Sequence, residues 1–149
     1  MPTWIPNTDA IVSFDNSIGT LTDQSDYVSS VNLTVANTVN GFYTFGLAGK
    51  QNSEGNQDWT GDFGVRPATD AAGAHQDLID WLTPASGKPG ARSLRIQEPD
   101  AATGSIQWDM EIYITNYQPV SQDADGDGTP TVRTAQFAID GVPTLTIIS

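Results

Sequence analysis

A mainly β chain with a single helix is predicted, on three observations. Long stretches alternate polar and apolar residues, the period of a strand with one wetted face. Fourteen glycines and nine prolines supply turns rather than element interiors. Only one segment, residues 70–83, carries helical periodicity. With 149 residues and 38% hydrophobic content, the length suits one domain and the apolar mass suffices for a core. A single domain over residues 1–149 is therefore expected.

The elements follow in order. In YVSSVNLTV (27–35), Val31, Leu33 and Val35 face one way while Ser30, Asn32 and Thr34 face the other, which makes a half-buried strand. Residues 36–64 then read as a long extended hairpin or arm with no core of its own. Its apolar pieces FYTF and DWTGDF flank a polar stretch, QNSEGNQ, expected at the tip. DAAGAHQDLIDWLT (70–83) is the helix, capped by Thr69 or Asp70 and closed by Pro84. His75, Leu78, Ile79 and Leu82 share its expected packing face, with Trp81 beside it. After the turn ASGKPGA, ARSLRIQEP places Leu94 and Ile96 inward. SIQWDMEIYITNY (105–117) is the longest alternation, with Ile106, Trp108, Met110, Ile112 and Ile114 on one face and Gln107, Asp109, Glu111, Tyr113 and Thr115 on the other. VRTAQFAID and TLTII supply the last strands.

Charge and composition exclude several classes. Eighteen acidic against six basic residues give a net charge of −12, and no Lys or Arg precedes Lys50. Such a chain repels nucleic acid and anionic membranes, although charge of this size also simply keeps soluble proteins apart. Without cysteine there are no disulfides or thiolate metal sites. MPTWIPNTDA lacks a basic segment followed by an apolar run, so no signal peptide is expected.

Three groups of residues invite chemistry. SQDADGDGTP (121–130) spaces Asp123, Asp125 and Asp127 at alternate positions before Gly128, as an EF-hand calcium loop begins. The twelfth position, where a bidentate glutamate belongs, is Thr134, and a strand follows instead of a helix. An exposed hairpin loop shaped by Gly126 and Gly128 is the expectation, with calcium held weakly at most. His75, with Asp77 and Asp80 nearby, could be drawn as a proton-transfer cluster, but reads as a histidine on a helix surface. Asp109 and Glu111 share a strand face at ~7 Å, near a glycosidase spacing. A water-facing sheet is the plainer explanation, and no catalytic residues are assigned. No enzyme, metal or cofactor is expected.

The order IGTLTDQSDYVSSVNLTV, then TFGLAGKQNSEGNQDWTGDFGV, then the helix, then three or four strands, resembles the major tail tube proteins of long, non-contractile-tailed bacteriophages, the siphovirus tail tube family. The resemblance covers nearly the whole chain and rests on element order, length and a loose Thr-Phe-Gly arm with a small-Trp-Gly return. It implies a β-sandwich or partial barrel of tail-tube type, with one flanking helix and a long arm over residues 36–64. It further implies hexameric rings whose inner sheets join into one barrel around a lumen, stacked into a tube that conducts the genome. Implied partners are other copies of the chain, the tape measure, tail terminator and tail tip proteins, and DNA in passage without stable binding. The implied location is the virion tail, assembled in the host cytoplasm, with no membrane. Some relatives carry an immunoglobulin-like C-terminal domain; none is expected within residues 1–149.

On that resemblance, Asn32, Thr34, Gln107, Asp109, Glu111 and Gln136 are expected to face the lumen. Phe42, Tyr43, Phe45, Trp59 and Phe63 are expected on the inter-subunit arm, where another copy covers them. The aspartate loop either faces outward or lies between rings. A different class remains open: a secreted, calcium-stabilised β-sandwich module, held at Asp123, Asp125 and Asp127, that presents aromatics to a carbohydrate.

Overall fold

The computed structural model describes residues 9–16, 19–69 and 73–149. The elements are β1 (Ile11–Asp15), β2 (Leu21–Asp23), β3 (Val28–Phe42), β4 (Gln51–Val65), α1 (Ala74–Leu82), β5 (Arg92–Glu98), β6 (Ile106–Tyr117), β7 (Arg133–Ile139) and β8 (Thr144–Ile147). All eight strands belong to one antiparallel sheet in the order β2-β1-β5-β6-β7-β4-β3, with β8 paired to β6. β6 is the spine of the sheet. It pairs β5 along one edge, while β8 and β7 divide the other, beside Ile106–Asp109 and Ile112–Tyr117 respectively.

The sandwich arises because this one sheet curls. β1 and β4 are separated by β5, β6 and β7, which would hold them roughly 19 Å apart in a flat sheet. Yet the rings of Phe14 on β1 and Phe63 on β4 stack 5.6 Å apart. The two ends of the sheet therefore face each other across the core. Phe14, Phe63, Leu94, Ile112 and Phe137 are buried between them, and Phe63 and Phe137 are also in ring contact at 5.9 Å. Gly61 makes this packing possible, since a Cβ there would collide with the Phe137 ring and the Asn32 carbonyl.

The helix closes one end of the curl. Trp81 is buried, donates its Nε1–H to the Gly90 carbonyl at 2.7 Å and lies under the Arg92 guanidinium, while His75 reaches Tyr117 and Arg133. Two features differ from expectation. The helix begins at Ala74 behind an N-cap at Gly73, with no side-chain cap; Thr69 is outside it and Asp70 lies outside the described residues. Its buried stripe is Ala74, Asp77, Leu78 and Trp81 instead of the stripe through His75, Ile79 and Leu82. The phase moves because Asp77 has a buried partner: Gln24 Nε2 donates to its Oδ2 at 2.8 Å. A hydrogen-bonded pair offsets the cost of burying a carboxyl, and hydropathy alone gives no sign of it.

The arm is a continuation of the sheet. β3 and β4 pair from Val28↔Val65 to Phe42↔Gln51, with two irregularities, between Val28 and Ser30 and between Asn37 and Val39. The expected tip is also moved. QNSEGNQ lies inside β4, and the turn is formed by residues 43–50, the apolar YTFGLAGK. Gly49, at φ +94°, supplies the left-handed residue that closes it.

Candidate functional site

Strand pairing brings the polar residues onto one face. Asn32 on β3 pairs Asp62 on β4, which pairs Gln136 on β7, which pairs Asn116 on β6. Thr34, Thr60, Ala138 and Tyr113 form the next row. Across β5 and β6 the rows are Ser93–Glu111, Arg95–Asp109 and Gln97–Gln107. Asn32, Thr34, Gln107, Asp109, Glu111 and Gln136 thus share one face of one sheet, opposite the buried Met110, Ile112 and Phe137.

The chemistry of this face is hydrogen bonding within itself. Arg95 Nε and Asp109 Oδ1 form an ion pair at 2.7 Å, and Gln107 Nε2 donates to the other oxygen of Asp109 at 2.6 Å. Gln97 donates to Gln107 at 3.0 Å, the Ser93 hydroxyl donates to Glu111, and Asn32 donates to Asp62 at 2.9 Å. A cation thus sits against the carboxylate that sequence reasoning had left bare. Arg95, Ser93 and Asp62 were missed there. Inward Leu94 and Ile96 already force Ser93 and Arg95 outward, so the signal was present.

The hairpin supplies a second surface. Beyond Val35 and Trp59 both of its faces are exposed. Phe42, Tyr43 and Phe45 stand in solvent, joined by Val39 and Leu47, which the sequence reading did not single out. One residue assigned to the arm belongs elsewhere. Phe63 is 0% exposed and fills this chain's own core, so it offers nothing to a neighbour. Trp59 is half-buried, with its ring 6.1 Å from that of Trp108. The two tryptophans stand with Val31, Leu33, Val35 and Ile96 around an open cleft of about 660 Å³, at the mouth of the curl opposite the helix.

The remaining candidates do not assemble a reactive centre. Arg133 Nη1 lies 3.3 Å from His75 Nε2, and arginine only donates, so Nε2 accepts. Nδ1 then carries the proton that bonds the Tyr117 hydroxyl at 2.6 Å. Burial, with the Arg133 charge adding to it, holds His75 below its usual pKa and so neutral. Burial pushes the Asp77 carboxyl up, against the pull of Arg92. In the aspartate loop, Asp123 Oδ1 accepts the Asp125 N–H at 3.0 Å and Asp127 Oδ1 accepts the Thr129 N–H at 2.9 Å. Those carboxylates shape the turn, and among the described residues no three acidic or histidine side chains converge as a metal site would require. Among the same residues, no helix is long and apolar enough to cross a membrane.

No family model matches the chain, and no curated protein sequence matches it. Solved structures do. A chain of the anti-feeding prophage cap, the tube-terminating cap, superposes with a TM-score of 0.73 at 13% identity, covering 99% of this chain and 93% of that one. The SPP1 tail tube gives 0.69 at 12% identity, over 96% of this chain and 79% of that one. A chain from the sheath–tube complex of PVC, an extracellular contractile injection system, gives 0.68 at 16% identity, over 97% and 92%. At these identities the likeness concerns fold: the curled antiparallel sheet with one helix is the tail-tube type of architecture.

Proposed function

We infer that this chain is a structural subunit of a phage-type tail tube. The observation that carries the reading is β3. It is the terminal strand of the sheet, fifteen residues long, and contains no charged residue. An unprotected edge of that length invites pairing with another chain, and proteins that remain monomeric blunt such edges with lysine, proline or a covering segment. Here the edge serves assembly. Copies join side by side through their sheet edges into a hexameric ring, which closes the barrel and satisfies the free backbone groups.

In that ring the polar face lines a water-filled lumen, and the core and helix face away from it. Rings stack into a tube, with the exposed hairpin reaching to the next ring. DNA passes through a wall whose hydrogen bonds are already made and whose unpaired charge is negative, so it slides without binding. Tape measure, terminator and tip proteins are the partners this role requires, the virion tail is its location, and the host cytoplasm the place of assembly. The role calls for no catalysis. Negative-stain electron microscopy of the purified protein tests the reading: rings or tubes support it, and dispersed monomers at every concentration would overturn it.

A further inference from the structure

The hairpin tip and the acidic loop occupy opposite ends of the molecule. β4 begins at the tip with Gln51 and ends at Val65, which pairs Arg133, the residue at which β7 leaves the acidic loop. Fifteen residues of strand at ~3.3 Å each separate them by about 50 Å. The tip therefore cannot fold back to the loop of its own chain.

The two ends are complementary. The tip exposes Tyr43, Phe45 and Leu47 and finishes in Lys50, the first basic residue of the chain. The loop between β6 and β7 exposes Asp123, Asp125 and Asp127, with Val120 and Val132 also open to solvent. It borders a groove of about 650 Å³ that includes Pro119, Val120 and Pro130 in its walls. Arg133 also lines this groove. It is 7% exposed, and its Nε has no partner among the described residues.

We propose that the hairpin tip of one copy docks in the groove beside the acidic loop of a second copy. Tyr43, Phe45 and Leu47 pack on the proline and valine walls, and Lys50 faces the aspartates. The donor and acceptor patches differ and lie at opposite ends, so the contact is heterologous and repeats along an axis without limit. The inference rests on the tube reading and deepens it by naming the stacking partner surface. It also gives the Asp123–Asp127 loop a role that calcium does not supply.

The test places a photo-crosslinking phenylalanine analogue at position 45 of the full chain, in a mixture of ¹⁴N- and ¹⁵N-labelled protein. Mixed-isotope crosslinks from position 45 to residues 118–132 are expected; crosslinks to any other segment, or only within one copy, overturn the proposal. Charge reversal provides the second arm. Lys50→Glu and Asp125→Lys should each cut tube yield more than tenfold, and the double variant should recover it. Singles that assemble like the parent, or a double no better than either, count against the contact. Parent tubes with failed rescue and crosslinks elsewhere sink this contact alone. A parent protein that never assembles sinks the tube reading with it.

Discussion

Phe63 and Phe45 are eighteen positions apart in one hairpin and have opposite fates. Phe63 touches Phe14 and Phe137 in the core, and Phe45 touches solvent. Replacing Phe63 with Ala should cost about 3–5 kcal/mol in urea unfolding. Phe45→Ala should change monomer stability by no more than about 0.5 kcal/mol. Equal costs would mean that the core is not where the rings place it. His75 supplies a pH test. Its pKa in the folded chain lies below the unfolded value of 6.5, so the unfolded chain binds the proton more readily. The stability it contributes is complete above 6.5 and is lost as pH falls from there toward the folded value. It is the only histidine, so the melting temperature should fall between about pH 7.5 and 6. His75→Gln should flatten that slope; a slope that survives would assign the titration to another group.

At the scale of elements, alternation made the strands legible. Val31 and Leu33, and likewise Met110 and Ile112, turn inward as their period requires, while Val35, on the same face, is 41% exposed where the hairpin leaves the core. The helix phase and the hairpin tip were not legible, for two physical reasons. Asp77 is buried by Gln24, more than fifty residues away in the chain, and such pairing leaves no local pattern. The tip is apolar although Tyr43, Phe45 and Leu47 lie outside this chain's core, whereas polarity is the usual guide to turns. Trp59 illustrates the same gap, since its neighbour Trp108 lies on a strand that no local reading connects to it. The tip can be tested apart from the fold. Phe42 and Gln51 pair directly, so Asn-Gly can replace residues 43–50 as a two-residue hairpin turn. The shortened protein should melt within a few degrees of the parent and form no tubes. Normal tubes would remove the hairpin tip from stacking.

For the whole molecule, the net charge of −12 matters through its distribution. Arg95 neutralises Asp109 on the polar face, which leaves Glu111, Asp62 and, further along β4, Asp58 as carboxylates with no cation beside them among the described residues. In the proposed tube every subunit would repeat them, and at physiological salt their field would reach ~8 Å from the wall, enough to coat a lumen lined by this face. Glu111→Lys should therefore preserve folding but make tubes retain DNA at low salt and release it at high salt in a gel-shift assay. Arg95→Gln should leave DNA unbound. If Glu111→Lys tubes ignore DNA at low salt, that face does not line the channel.

The most direct measurement is a cryo-electron microscopy reconstruction of the assembled protein, at a resolution that separates strands. The account predicts a closed ring with a central channel and β3 of each copy hydrogen-bonded to the sheet of its neighbour. Asn32, Thr34, Gln107, Glu111 and Gln136 should stand on the channel wall. A channel walled by the helix, or particles in which β3 keeps a free edge, would contradict it.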